Sequence, residues 1–131
     1  LEGEFGENID GGIGTDRLDL SNYTTAYGAT VDLSAGTWDF NPSFGGPYTI
    51  TGVENVDGTQ LSDTITGDSN NNVLNGNGGN DTLKGGIGQD TIYGGDGNDI
   101  IQGGFGADTV YGEAGDDVFQ VLQGEFGDNF I

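Results

Sequence analysis

The sequence predicts an all-β fold, a solenoid of stacked parallel coils with two nine-residue repeats to a turn. Three observations carry this. From Gly58 to Gln120 the chain reads GTQLSDTIT, GDSNNNVLN, GNGGNDTLK, GGIGQDTIY, GGDGNDIIQ, GGFGADTVY and GEAGDDVFQ, seven contiguous nonapeptides. Position eight is always apolar: Ile65, Leu74, Leu83, Ile92, Ile101, Val110 and Phe119. Position six is Asp63, Asp81, Asp90, Asp99, Asp108 or Asp117, with Asn72 the one exception. A period of nine suits neither a helix nor a long strand, and a fixed period of this kind marks a stacked coil.

Each element follows from the repeat. Positions seven to nine, as in Thr91-Ile92-Tyr93, form a very short strand whose middle residue faces inward and whose neighbours face outward. Six residues rich in Gly and Asp turn the chain back. Two nonapeptides close one turn of 18 residues, so the inner residues meet as two facing ladders. One is Ile65, Leu83, Ile101, Phe119; the other is Leu74, Ile92, Val110. Seven nonapeptides give a stack ~17 Å tall at the usual strand spacing. A core one residue wide is too thin to hold the chain unaided.

The remaining chain is read from the same register. An isolated copy, GGIGTDRLD, covers residues 11–19 and places Asp16 at position six. Residues 20–57 lack the repeat, although Val56 lies 18 residues before Leu74 and continues an inner ladder. Thr30-Val31-Asp32-Leu33 and Tyr48-Thr49-Ile50-Thr51 alternate like strands. Between them GTWDFNPSFGGP reads as a protruding aromatic loop, and 20–57 as wider coils of the same stack. The organisation expected is an N-terminal coil (1–19), lead-in coils (20–57), the repeat array (58–120) and a cap or the start of a further copy (121–131). LEGEFGENI (1–9) and LQGEFGDNF (122–130) match at six of nine positions, which points to a tandem array. In that alignment Ile9 is an inner residue and Asp128 takes position six.

Composition narrows the partners. The 131 residues carry 22 acidic side chains against Arg17 and Lys84, a net charge of −20. Nucleic acids and anionic membranes need basic patches, so neither is an expected partner. There is no Cys and no His, which removes the thiolate and imidazole ligands of zinc and copper sites. No apolar run approaches a membrane span. The chain starts at Leu1 rather than Met, as a piece cut from a longer protein would.

The glycines need an explanation, since glycine is costly to order. Residues 18 apart lie one strand spacing apart, so the position-six carboxylates stack as Asp63, Asp81, Asp99, Asp117 and as Asn72, Asp90, Asp108. Like charges ~5 Å apart repel strongly in a partly desolvated setting. A hard divalent cation between turns removes the repulsion. Calcium takes six to eight oxygens in flexible geometry, whereas magnesium demands a tighter octahedron. Two Asp side chains cannot supply that many oxygens, so backbone carbonyls must, and turning them inward is the use of the glycines. The candidates are Gly76, Gly78, Gly85, Gly86, Gly88, Gly94, Gly95, Gly97, Gly103, Gly104, Gly106 and Gly112. The well-formed gaps are Asp81/Asp99, Asp99/Asp117 and Asp90/Asp108. Asp63/Asp81 and Asn72/Asp90 are degenerate, because GTQLSD and GDSNNN depart from the glycine pattern.

GGIGQDTIY, GGDGNDIIQ, GGFGADTVY and GGIGTDRLD fit GGxGxDxUx, with U apolar. In this the chain resembles the repeats-in-toxin, hemolysin-type family of calcium-binding nonapeptide proteins. The resemblance covers residues 58–120 and 11–19. It implies a right-handed parallel β-roll with Ca²⁺ in the turns, export by type I secretion, and a place outside the cell or on a bacterial surface. Such modules accompany proteases, lipases, epimerases, toxins and adhesins.

Other chemistry finds little support. Asp68-Ser69-Asn70-Asn71-Asn72 opens like an EF-hand, but Val73 stands where Gly is required and Gly79 where Glu is required. Lys84 is followed by Gly85, not by the Ser or Thr of a phosphate loop. Every repeat Asp is accounted for by the stack, so no catalysis is expected of this chain. Trp38, Phe40 and Phe44, and the pair Tyr93 and Tyr111 at position nine, are candidates for a polysaccharide or cell-surface contact. The expected role is a secreted calcium-dependent structural, binding or spacer unit beside tandem copies or other domains. The alternatives are an accessory module of a secreted epimerase or metalloprotease, and a carbohydrate-binding module.

Overall fold

A computed structural model describes residues 7–24, 26–40 and 46–131. These hold fourteen strands and no helix: β1 (Ile9–Asp10), β2 (Arg17–Asp19), β3 (Thr30–Asp32), β4 (Thr37–Asp39), β5 (Tyr48–Thr51), β6 (Asn55–Asp57), β7 (Thr64–Thr66), β8 (Val73–Asn75), β9 (Thr82–Ile87), β10 (Thr91–Asp96), β11 (Ile100–Phe105), β12 (Thr109–Ala114), β13 (Val118–Phe119) and β14 (Asn129–Phe130). They form two sheets. One runs β1-β5-β4-β3-β7-β9-β11-β13 and the other β14-β12-β10-β8-β6-β2.

The repeat sets the register. Ile65 lies beside Leu83, and Leu83 beside Ile101, each 18 residues on. On the opposite sheet Val56, Leu74, Ile92 and Val110 follow one another at the same interval. Because consecutive nonapeptides fall on alternate sheets, all pairing among them is parallel and the inner residues face each other across the roll. These seven side chains are fully buried, at 0 % exposure. The chain is therefore a parallel β-solenoid with about 18 residues per turn.

The strands are longer than three residues in the best repeats. From β9 to β12 they run for six, through positions one to three of the next nonapeptide. Gly86 still pairs with Gly104 and Ile87 with Phe105. The bend that permits this sits at position two, where Gly95 has φ 105°. Asn77 and Glu113 occupy the same position with φ 71° and 70°, so the coil geometry is imposed even where the glycine is missing. In the coil that starts at Gly76, the position-four residue in the left-handed region is Gly79, φ 107°. Gly78 lies at position three and forms a bridge with Asp96.

Residues 20–57 differ from the expected wider coils. β3, β4 and β5 form an antiparallel meander inserted into one sheet. β3 then joins the repeat array beside β7, in parallel. Trp38 and Phe40, expected on a protruding aromatic loop, are core residues instead. Trp38 lies in the middle of β4, and Trp38 and Phe40 are buried at 7 % and 6 % exposure. The two rings meet edge to face at 5.2 Å, Phe40 stacks on Tyr23 at 4.4 Å, and the Trp38 indole N–H donates to the Glu7 carbonyl at 2.8 Å. The extra width of this end of the roll gives these rings a core to fill, so neither offers a face to a ligand. Phe44 and the Leu1–Gly6 part of the repeated terminal phrase lie outside the described residues.

The candidate metal centre

From Asp81 to Asp117 each position-six side chain spans two coils. Its Oδ1 accepts the backbone N–H of the residue 18 positions earlier: Asp63 donates to Asp81 at 2.7 Å, Asp81 to Asp99 at 2.8 Å, and Asp99 to Asp117 at 3.0 Å. On the other sheet Asn72 donates to Asp90 and Asp90 to Asp108, both at 2.8 Å. This lateral bond calls for a side-chain acceptor at position six. No apolar residue can take the N–H.

In the central coils the second oxygen has no partner among the described residues. Oδ2 of Asp81, Asp90, Asp99 and Asp108 is buried and makes no hydrogen bond. An ionised oxygen in that setting is costly unless a cation compensates it. The position-one glycines show what it faces. A Cβ at Gly76 would collide with Asp81 Oδ2 and the Gly94 carbonyl oxygen. At Gly85 it would meet Asp90 Oδ2 and the Gly103 carbonyl, and at Gly94 Asp99 Oδ2 and the Gly112 carbonyl. Carbonyls of the neighbouring coil also crowd positions two and four, where Gly95 faces Asn77 O and Gly97 faces Gly79 O. Among the described residues no three His, Cys, Asp or Glu side chains converge into a metal site of their own. A mixed set of carboxylate and main-chain oxygens is what the turns offer. That all-oxygen set fits a hard cation with irregular geometry, and calcium above all.

The electrostatics agree. With no cation present, burial pushes the carboxyls of Asp81 and Asp90 up to about 7. The neighbouring charges add to this: Asp63 and Asp99 at Asp81, Asp108 and Asp68 at Asp90. Asp99, Asp108 and Asp63 are raised as well, each mainly by desolvation.

The ends of the array are built differently. Asp63 is buried, but both its oxygens are engaged: Oδ1 by the Ala29 N–H and the Thr59 hydroxyl, Oδ2 by the Thr59 N–H at 2.6 Å. Asn72 donates from Nδ2 to the Glu54 carbonyl at 2.7 Å and accepts the Asp68 N–H at 2.9 Å. Asp117 is half-buried on the outermost full coil. Asp16 has a buried, unpartnered Oδ2 like the central Asp residues. Asp128 does stand beside Asp108, accepting its N–H at 3.2 Å. Tyr93 and Tyr111 stack nearly parallel on the outer surface, 4.9 Å apart.

Two acidic residues escaped the sequence reading. Glu54 occupies position six of a degenerate coil, residues 49–57, and its Oε2 accepts the Asp16 N–H at 2.9 Å. It lies nine residues before Asp63, so the period could have found it. Glu125 is buried at 7 % exposure, accepts the Leu122 N–H at 2.7 Å, and adds its charge to the field at Asp108. The insertion Val121-Leu122 takes it out of register, and no periodic signal points to it.

The family model described as the RTX calcium-binding nonapeptide repeat matches residues 57–92 and 93–120, in four copies. No curated protein matches the chain. The residues matched are those that carry the buried carboxylates and the carbonyl-lined turns, and this segment of the chain belongs to the RTX calcium-binding nonapeptide-repeat family, as a β-roll module that binds calcium.

Proposed function

We propose that the chain is a calcium-gated folding module, a structural or spacer unit of a larger extracellular protein. It stays disordered at the low free calcium of a cell interior and closes into the roll outside. The observation that carries this reading is the buried, unpartnered Oδ2 repeated at Asp81, Asp90, Asp99 and Asp108. In this reading Ca²⁺ is held between coils by these carboxylates, by Asp117, and by carbonyls of the turn glycines. The three principal gaps are Asp81/Asp99, Asp99/Asp117 and Asp90/Asp108. Asp16 with Glu54, and Asp108 with Asp128, extend the same arrangement to the two ends.

The bound ion neutralises the stacked carboxylates; the chain supplies everything else. Adjacent carboxylates at one strand spacing repel by roughly 3 kcal/mol at an effective dielectric constant near 20. Several such pairs outweigh a core one residue wide. The sites exist only when the coils are stacked, so binding free energy becomes folding free energy. Catalysis has no place in this scheme, because each buried carboxylate is committed to the stack.

The test is circular dichroism with calorimetric titration. Calcium-free chain is expected to show a disordered spectrum and to gain β structure cooperatively in millimolar Ca²⁺, with at least three ions bound per chain. A spectrum unchanged between chelator and excess calcium would falsify the reading.

A further inference from the structure

We infer that successive copies of this chain in a tandem array share a strand and stack into one continuous roll, with the two sheets exchanging sides at every copy. The inference rests on the spacer reading above and concerns how one spacer meets the next.

Among the described residues the two sheets leave four open strands. One sheet ends at β1 and β13, the other at β14 and β2. β14 contains Asn129-Phe130, and in the repeated phrase these residues align with Asn8 and Ile9, of which Ile9 is the first residue of β1. The two strands use opposite edges. β14 pairs with β12, with Phe130 beside Val110. β1 pairs with β5, with Ile9 beside Ile50. They are therefore two halves of one environment. A single strand, the last of one copy and the first of the next, would have β12 on one side and the following copy's β5 on the other.

The consequence for the second sheet follows by counting. β13 precedes β14 by half a turn, and β2 follows β1 by half a turn. Phe130 stands 20 residues after its partner Val110. The same offset applied to Phe119 lands on Leu18 of the next copy. So β13 meets the next copy's β2, and Gln120 falls beside its Asp19. β13 belongs to the eight-stranded sheet and β2 to the six-stranded one, hence the exchange of sides.

Exposure at the open end agrees. Phe119 and Phe130 are each 36 % exposed, whereas their ladder neighbours Ile101 and Val110 are at 0 %. The two rings lie 5.2 Å apart across the end of the roll. Leu18 and Ile9 at the other end are only partly buried. Covering one end with the other completes both inner ladders and buries apolar surface. It would also place the Tyr93–Tyr111 stack on alternating sides along the array.

A protein joining residues 1–131 to a second copy of residues 11–131 tests this. The chain has no cysteine, so Gln120→Cys in the first copy and Asp19→Cys in the second introduce the only thiols. Neighbouring residues on paired strands fall within disulfide reach. In Ca²⁺ the pair should oxidise almost completely within the chain, and in chelator only slowly. Thiols that stay reduced in a chain whose circular dichroism shows the calcium-loaded roll would overturn the inference and leave the calcium reading standing. A chain that gains no β structure with Ca²⁺ would overturn both. As a measurement free of substitutions, the unmodified two-copy protein should melt higher than one copy in the same Ca²⁺; equal melting temperatures would mean independent beads and would also overturn it.

Discussion

Asp99 and Asp63 share a repeat position and differ in what their second oxygen does. Asp99 Oδ2 is buried without a partner, and Asp99 lies between two well-formed gaps. Asp63 Oδ2 already takes the Thr59 N–H. Substitution by Asn keeps the shape and removes the charge. A hydrogen bond or ligand contact to a charged group contributes roughly 1.5–3 kcal/mol, so Asp99→Asn should raise the calcium midpoint about tenfold or more. Asp63→Asn should move it less, because no unpartnered oxygen awaits a cation there; the amide keeps the partners of Oδ1 and loses only the Thr59 N–H. Matching shifts in a calcium titration followed by circular dichroism would mean that the paired turns are wrongly assigned. The difference was partly legible in the sequence, where Thr59 and Leu61 break the glycine pattern of that loop. What the sequence did not show is that Thr59 satisfies the carboxylate in place of a cation.

At the level of the coil, the position-one glycine keeps the turn clear. Gly94 is buried, and a Cβ there would meet Asp99 Oδ2 and the Gly112 carbonyl. Gly94→Ala should therefore bind one calcium fewer and lose stability by about 1–3 kcal/mol, the usual cost of overpacking. Calorimetry gives the stoichiometry and a thermal melt in Ca²⁺ gives the stability; an unchanged ion count would show that this turn holds no cation. Elements set by the repeat were legible in the sequence, since period nine places both the inner ladder and the position-six bond. Residues 20–40 were not. Nothing local marks Trp38 as a core residue: it is flanked by Thr37 and Asp39, and only the meander of β3, β4 and β5 supplies the neighbours that bury it. Glu125 was hidden for a related reason, because two inserted residues carry it out of phase with everything before it.

For the whole molecule, the balance between repulsion and stacking sets a pH dependence that reverses with calcium. In the calcium-free roll the carboxyls of Asp81 and Asp90 are pushed by burial from 3.8 up to about 7. Their folded-state affinity for protons exceeds the unfolded one, so between those values the folded chain binds more protons. Stability then falls as pH rises through that window, and is fully present only below the unfolded value. Acid also lowers the net charge of −20 that opposes collapse. Calcium-free chain should thus hold more β structure at pH 5 than at pH 8. With calcium the sign changes, because the cation needs ionised carboxylates and competes with protons for them. The calcium midpoint should rise as pH is lowered from 8 to 5. Circular dichroism at the two pH values, with and without Ca²⁺, separates the trends. A calcium-free chain more ordered at pH 8 than at pH 5 would mean that something other than the buried carboxylates holds the roll open.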